Sequence, residues 1–204
     1  VADGRCHHAC RLWDECLLEH PRDALALNWA HDWDLHRGDM QSLRLRPARV
    51  LPEWSEADPL YPHLLGLWAY GLEECHLYPQ AEEVGRRAVH IASAVPWAIQ
   101  AVAHVMEMQG RFEDGTAWLR QHQPHWAVTH GLATHLWWHM GLFRLEALDL
   151  SGVHRLLDAH LSGPALQGTL PCVDAVGLLW RVHLLEHDVG ARFAEVLSAW
   201  APRE

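Results

Sequence analysis

His76-Leu77-Tyr78-Pro79-Gln80-Ala81 and, one unit later, Gly110-Arg111-Phe112-Glu113-Asp114-Gly115 read alike: a turn residue, then an aromatic, then a small residue that opens a helical pattern. Small residues at that place let two paired helices approach. With Gly38 as the reference turn, the same place falls to His76, Gly110, Leu148 and Val189. The spacings run from about 34 to about 41 residues, a period that belongs to two-helix repeats. Proline falls at Pro21, Pro52, Pro96, Pro124 and Pro164, each after a segment of helical periodicity, so turns within pairs alternate with breaks between pairs.

Strand signals are almost absent, because β-branched residues are sparse while Leu, Ala, Glu and Arg dominate. The pattern predicts helices over 3–19, 22–37, 39–50, 60–75, 79–94, 96–109, 113–122, 129–147, 151–161, 172–187 and 190–200. The first of these reads as the second member of a pair whose first member would lie before Val1. Residues 163–171 are the most loop-like stretch, yet nothing there marks a boundary, and 1–204 reads as a single domain.

Composition removes several function classes. Half the 204 residues are apolar, 21% are charged and the formal net charge is −10, which fits neither intrinsic disorder nor a nucleic-acid surface. All 16 basic residues are Arg, so no lysine exists for a phosphate-binding P-loop, a Schiff base or a pyridoxal enzyme. No apolar run approaches the ~18 to 20 residues of a membrane span, and charges at Asp3, Arg5, Arg11, Asp14, Glu15 and Glu19 rule out a signal-peptide core. Five cysteines without a C-x-x-C pair read as reduced thiols of a cytoplasmic protein. The cluster Cys6-His7-His8-x-Cys10 reads as adventitious, and Glu74 would disfavour a thiolate at Cys75. There is no G-x-S-x-G, G-x-G-x-x-G or H-E-x-x-H.

Several segments in order resemble the tetratricopeptide repeat protein 38 family: Glu19-His20-Pro21-Arg22-Asp23 through Ala30-His31-Asp32, Ala48-Arg49-Val50-Leu51-Pro52, Gly71-Leu72-Glu73-Glu74, Ala101-Val102-Ala103-His104-Val105-Met106-Glu107-Met108, Leu132-Ala133-Thr134-His135-Leu136-Trp137-Trp138-His139 and Val173-Asp174. The resemblance implies an all-α fold, an α-solenoid of about five tetratricopeptide-like hairpins, and brings no settled reaction. Two positions depart from the family pattern: Gln100 stands where a His is usual, and Leu136 where an Asn is usual.

In such hairpins the first helices would line a concave groove, and residues at i, i+3 and i+7 share one helix face. Counting back from each turn nominates Asn28 and Asp32; His63, Tyr70 and Glu73; Trp97, Gln100, His104 and Glu107; His135 and Trp138; and His183 and Glu186, with His139 one residue off that register. His, carboxylate and Trp together suit a peptide, a protein segment or a small ligand, and ring faces beside carboxylates suit a cationic or aromatic group. The bland alternative is interior polar residues bonded across helices. An enzyme is the other: His104 as general base oriented by Glu107 with His135 as acid, or zinc or iron held by His104, Glu107, His135 and His139. Trp13, Trp118, Trp126, Trp180, Trp200 and Trp137 read as core, and the end helices could stack on a second copy.

Overall fold

A computed structural model describes residues 4–128 and 131–201. The expected helix starts at 3 and 129, and the tail 202–204, lie outside the described residues. The chain is all-α: α1 (Cys6–Glu19), α2 (Ala24–His36), α3 (Met40–Val50), α4 (Tyr61–Glu74), α5 (Tyr78–Ile91), α6 (Pro96–Met108), α7 (Phe112–Trp126), α8 (Ala133–Glu146), α9 (Leu150–His160), α10 (Thr169–Leu184) and α11 (Arg192–Trp200). No strand occurs among the described residues, and no described helix is long and apolar enough to cross a membrane. Successive helices form hairpins, a helical-repeat fold.

The hairpin turns share one geometry. Gly38, His76, Gly110, Leu148 and Glu186 all adopt positive φ, between 55° and 71°. After each of them the next N–H reaches back five residues to a helix carbonyl: Asp39 to Asp34 at 2.9 Å, Leu77 to Leu72 at 3.0 Å, Arg111 to Met106 at 2.8 Å, Asp149 to Arg144 at 2.9 Å and His187 to Val182 at 3.4 Å. This left-handed cap satisfies carbonyls that a helix end leaves open, and glycine enters it without steric cost. Three of the five turns use other residues there. The fifth turn is therefore Glu186, not Val189, because α10 stops at Leu184; Glu186 follows Leu148 at the same interval as His76 follows Gly38. Glu186 caps a helix and does not lie on a groove face.

Pro124 does not close α7, which continues to Trp126. The fully buried Trp126 side chain donates from its indole N–H to Leu119 O at 2.9 Å and holds that last turn.

Cα packing divides the chain into two compact units, Val1–Val105 and Met106–Glu204, with the division inside α6. In the first unit Leu17, Leu27, Val50, Leu64 and Leu67 form one cluster, and Leu43, Ala69, Tyr70 and Ala101 another. Its deepest charges form a network. Arg46 grips Asp34 through Nε at 2.8 Å and Nη2 at 3.1 Å, and also bonds Asp14, while Arg37 reaches Asp34 at 2.9 Å. Burial works against the Arg46 charge, but the two carboxylates more than offset it and push its pKa up.

The second unit packs Leu119, Leu136, Met140, Phe143, Leu157 and Leu178. A side chain on Gly115 would run into the Phe143 ring of α8, so this small residue makes room for the next hairpin rather than for the helix paired with its own. Of the tryptophans expected in the core, Trp118 and Trp126 are buried and Trp13, Trp137 and Trp200 half-buried, but Trp180 is 53% exposed. On α10 the buried positions are Cys172, Asp174, Ala175, Leu178, Leu179 and Val182, and Trp180 turns outward with Val173, Val176 and Leu184.

Candidate functional site

The first unit brings the nominated Asn28, His63 and Tyr70 to Trp97, with His104 and Glu73 beyond Tyr70. A cleft of about 250 Å³ is lined by Asn28 and Leu27 from α2, His63, Leu64 and Leu67 from α4, and Trp54 and Trp97. Its walls are apolar and its polar groups are the exposed Asn28 and the His63 ring, whose pKa burial pushes down, so the imidazole is neutral at pH 7. Behind Trp97 lie Tyr70, with ring centres 5.0 Å apart, and His31, at 5.8 Å. Tyr70 is buried, which with Glu74 raises its phenol pKa, and the ring sits 6.0 Å from that of His104.

His104 donates from Nδ1 to Glu73 Oε2 at 3.1 Å, and the ligand atoms of Glu73, Glu74 and His104 all lie within 4.8 Å of one another. Gln100, where the resembled family usually has His, is buried with its Oε1 unpartnered, an acceptor available to a donor. Asp32 stands apart, 3.8 Å from His36 on its own helix.

The second unit brings four side chains into one line. His135 Nδ1 donates to Asp174 Oδ2 at 3.0 Å, His139 Nδ1 donates to Glu107 Oε2 at 2.8 Å, and the two Nε2 atoms face each other at 3.2 Å. Trp138 stacks on His135 at 5.2 Å and 18°, and the Arg181 guanidinium lies 5.9 Å from the Trp138 ring centre. His183 is exposed, against Trp180 and Phe193.

No protein-family model matches the chain. Its fold has a known likeness. BtubC (BKLC) from P. vanneervenii, a crystal structure, superposes with a TM-score of 0.65 over 97% of this chain and 89% of that one, at 11% identity. At that identity the likeness speaks for the helical-repeat fold alone.

The repeat frame explains how carboxylate meets imidazole. Glu73 and Glu107 hold the same place, three residues before the turn residues His76 and Gly110, and each bonds a histidine on the first helix of the next hairpin. His139 thus belongs to the cluster although it lies off the counted register: its side chain is 1% exposed, deeper than that of His135. Leu136 is fully buried in the core.

Two residues escaped the nomination. His31 is buried and donates from Nε2 to Leu67 O at 3.0 Å; burial pushes its pKa down to about 4. Asp174 is the buried partner of His135, and the signal for it was the period itself, since it stands one repeat later in the chain. Elsewhere, His7 accepts from Arg37 at 2.6 Å and Cys10 is buried, while all five cysteines are free. The Cys75 thiol is pushed up by burial first, with Glu74 adding to it.

Proposed function

We propose that this is a helical-repeat binding protein of the tetratricopeptide repeat protein 38 kind, and that the Trp97 cleft of its first unit receives one aromatic or apolar group of a small ligand or protein segment. The observation that carries this is the cleft itself: apolar walls, an indole on one side, and Asn28 and His63 as the polar groups. Its size is just below the range of drug-sized pockets, and apolar walls with a few placed polar groups are what ligand sites share. A neutral His63 either donates or accepts one hydrogen bond, which suits a hydroxyl or amide next to a ring.

Native mass spectrometry of gently purified protein, beside the same sample denatured, tests for a retained ligand. Ligand-observed NMR with indole and tryptamine then tests the cleft. Saturation transfer to indole that disappears in Trp97→Ala supports the reading; transfer unchanged in that variant, or none at millimolar indole, overturns it.

The second reading is proton-transfer chemistry on a small molecule, and one observation favours it. Asp174, His135, His139 and Glu107 form a continuous line of acid–base groups.

A further inference from the structure

An imidazole has two nitrogens, and a carboxylate acts only as an acceptor when ionised. Asp174 and Glu107 therefore fix the N–H of His135 and His139 on Nδ1 and leave each neutral ring with its lone pair on Nε2. Those lone pairs meet at 3.2 Å. Two acceptors at that separation repel, so the arrangement calls for an electrophile between them, either a proton or a metal ion.

Charge and geometry favour the metal. Within these four side chains two carboxylates flank two neutral rings; one proton would offset a single negative charge, whereas a dication offsets both. An ion about 2.05 Å from each nitrogen would see them at an angle of about 100°, between octahedral and tetrahedral values. Carboxylates on the far nitrogens are how ligating histidines are oriented and made more basic. Trp138 stacks on His135 and covers one face of that ring.

We propose that the second unit binds a divalent first-row transition-metal ion through His135 Nε2 and His139 Nε2, oriented by Asp174 and Glu107, with its remaining positions open to water or a substrate oxygen. Imidazole donors select zinc, iron, nickel or copper over magnesium and calcium. The Trp97 cleft is not needed for this, so either proposal stands if the other fails.

The test is zinc titration of the full chain, stripped with a chelator, in competition with a chromophoric indicator, with cobalt substitution to read the ligand field. One equivalent bound by the wild type and lost in both His135→Ala and His139→Ala is expected. Asp174→Asn, which keeps the volume and the two ligands, weakens binding about 10- to 100-fold, with helicity unchanged by circular dichroism. Because the chain holds 18 histidines, the difference between wild type and variants is the readout. No uptake at micromolar zinc, or uptake equal in wild type and both alanine variants, overturns the proposal. So does a nitrogen-15 imidazole spectrum showing a shared proton in zinc-saturated protein.

Discussion

The two units handle buried polarity in opposite ways. In the first, Asp34 is gripped by Arg46, a guanidinium that keeps its charge at every working pH, and the neighbouring His31 is kept neutral by burial. In the second, His135 and His139 bond carboxylates on one side and leave two nitrogens facing each other on the other. Each charge of the Arg46 network meets an opposite one. The histidine pair sets nitrogen against nitrogen. One repeat frame thus yields a guanidinium–carboxylate tie in one half and a carboxylate-backed histidine pair in the other.

That contrast breaks most visibly if the tie is cut. Arg46→Met leaves Asp34, which has no exposure, with Arg37 alone; a loss of about 3 to 5 kcal/mol is expected for a broken buried pair, read as a lower urea midpoint. A loss under about 1 kcal/mol, the worth of an exposed pair, would mean that the network holds nothing together.

The pH response sharpens it next. Against an ordinary value of 6.5, the His31 pKa in the native protein is about 4. Between those values the unfolded chain binds a proton that the native chain does not, so stability rises with pH across the window. The contribution is fully present above about 6.5 and gone once pH has fallen to about 4, a change on the order of 3 kcal/mol. His31→Gln keeps a donor for Leu67 O without titrating, and its stability profile should be flatter by that amount.

Zinc should act on the second unit alone. At a free concentration about 100 times its dissociation constant, it adds about 2.7 kcal/mol to the stability of that unit, seen as slower hydrogen exchange in α8 and α10, and His139→Ala removes the effect. Equal slowing in α2 and α4 would erase the contrast.

The smallest effect concerns the turns. Leu148 is 69% exposed and held at φ 55°. Leu148→Gly should stabilise by about 1 kcal/mol and Gly110→Ala destabilise by a similar amount, both measurable as shifts in thermal midpoint.

Periodicity made the helices legible, since an apolar stripe and a turn recurring at a two-helix interval leave few other arrangements. It also nominated Glu73, Trp97, His104, Glu107 and His135, which carry the bonds and ring contacts described above. It failed where depth decides. His139 is one residue off the counted face but lies under it, because a helix face is broad and the inward edge of that face is the more buried one. Asp174 is the one carboxylate on α10, but its partner His135 lies 39 residues earlier in the chain, and nothing local to α10 ties the two together. Trp180 was misread because α10 is apolar on several sides, so its own sequence does not say which side is covered.

The five left-handed turns carry a consequence for hydrogen exchange. The N–H just past each turn is tied to a carbonyl of the helix before it, so both helices of a hairpin are stitched through their connection. In a map of amide protection the turns will therefore scarcely register. The gaps will fall between hairpins instead, at 20–23, 54–60, 92–95 and 161–168, and an exchange experiment will count hairpins rather than helices.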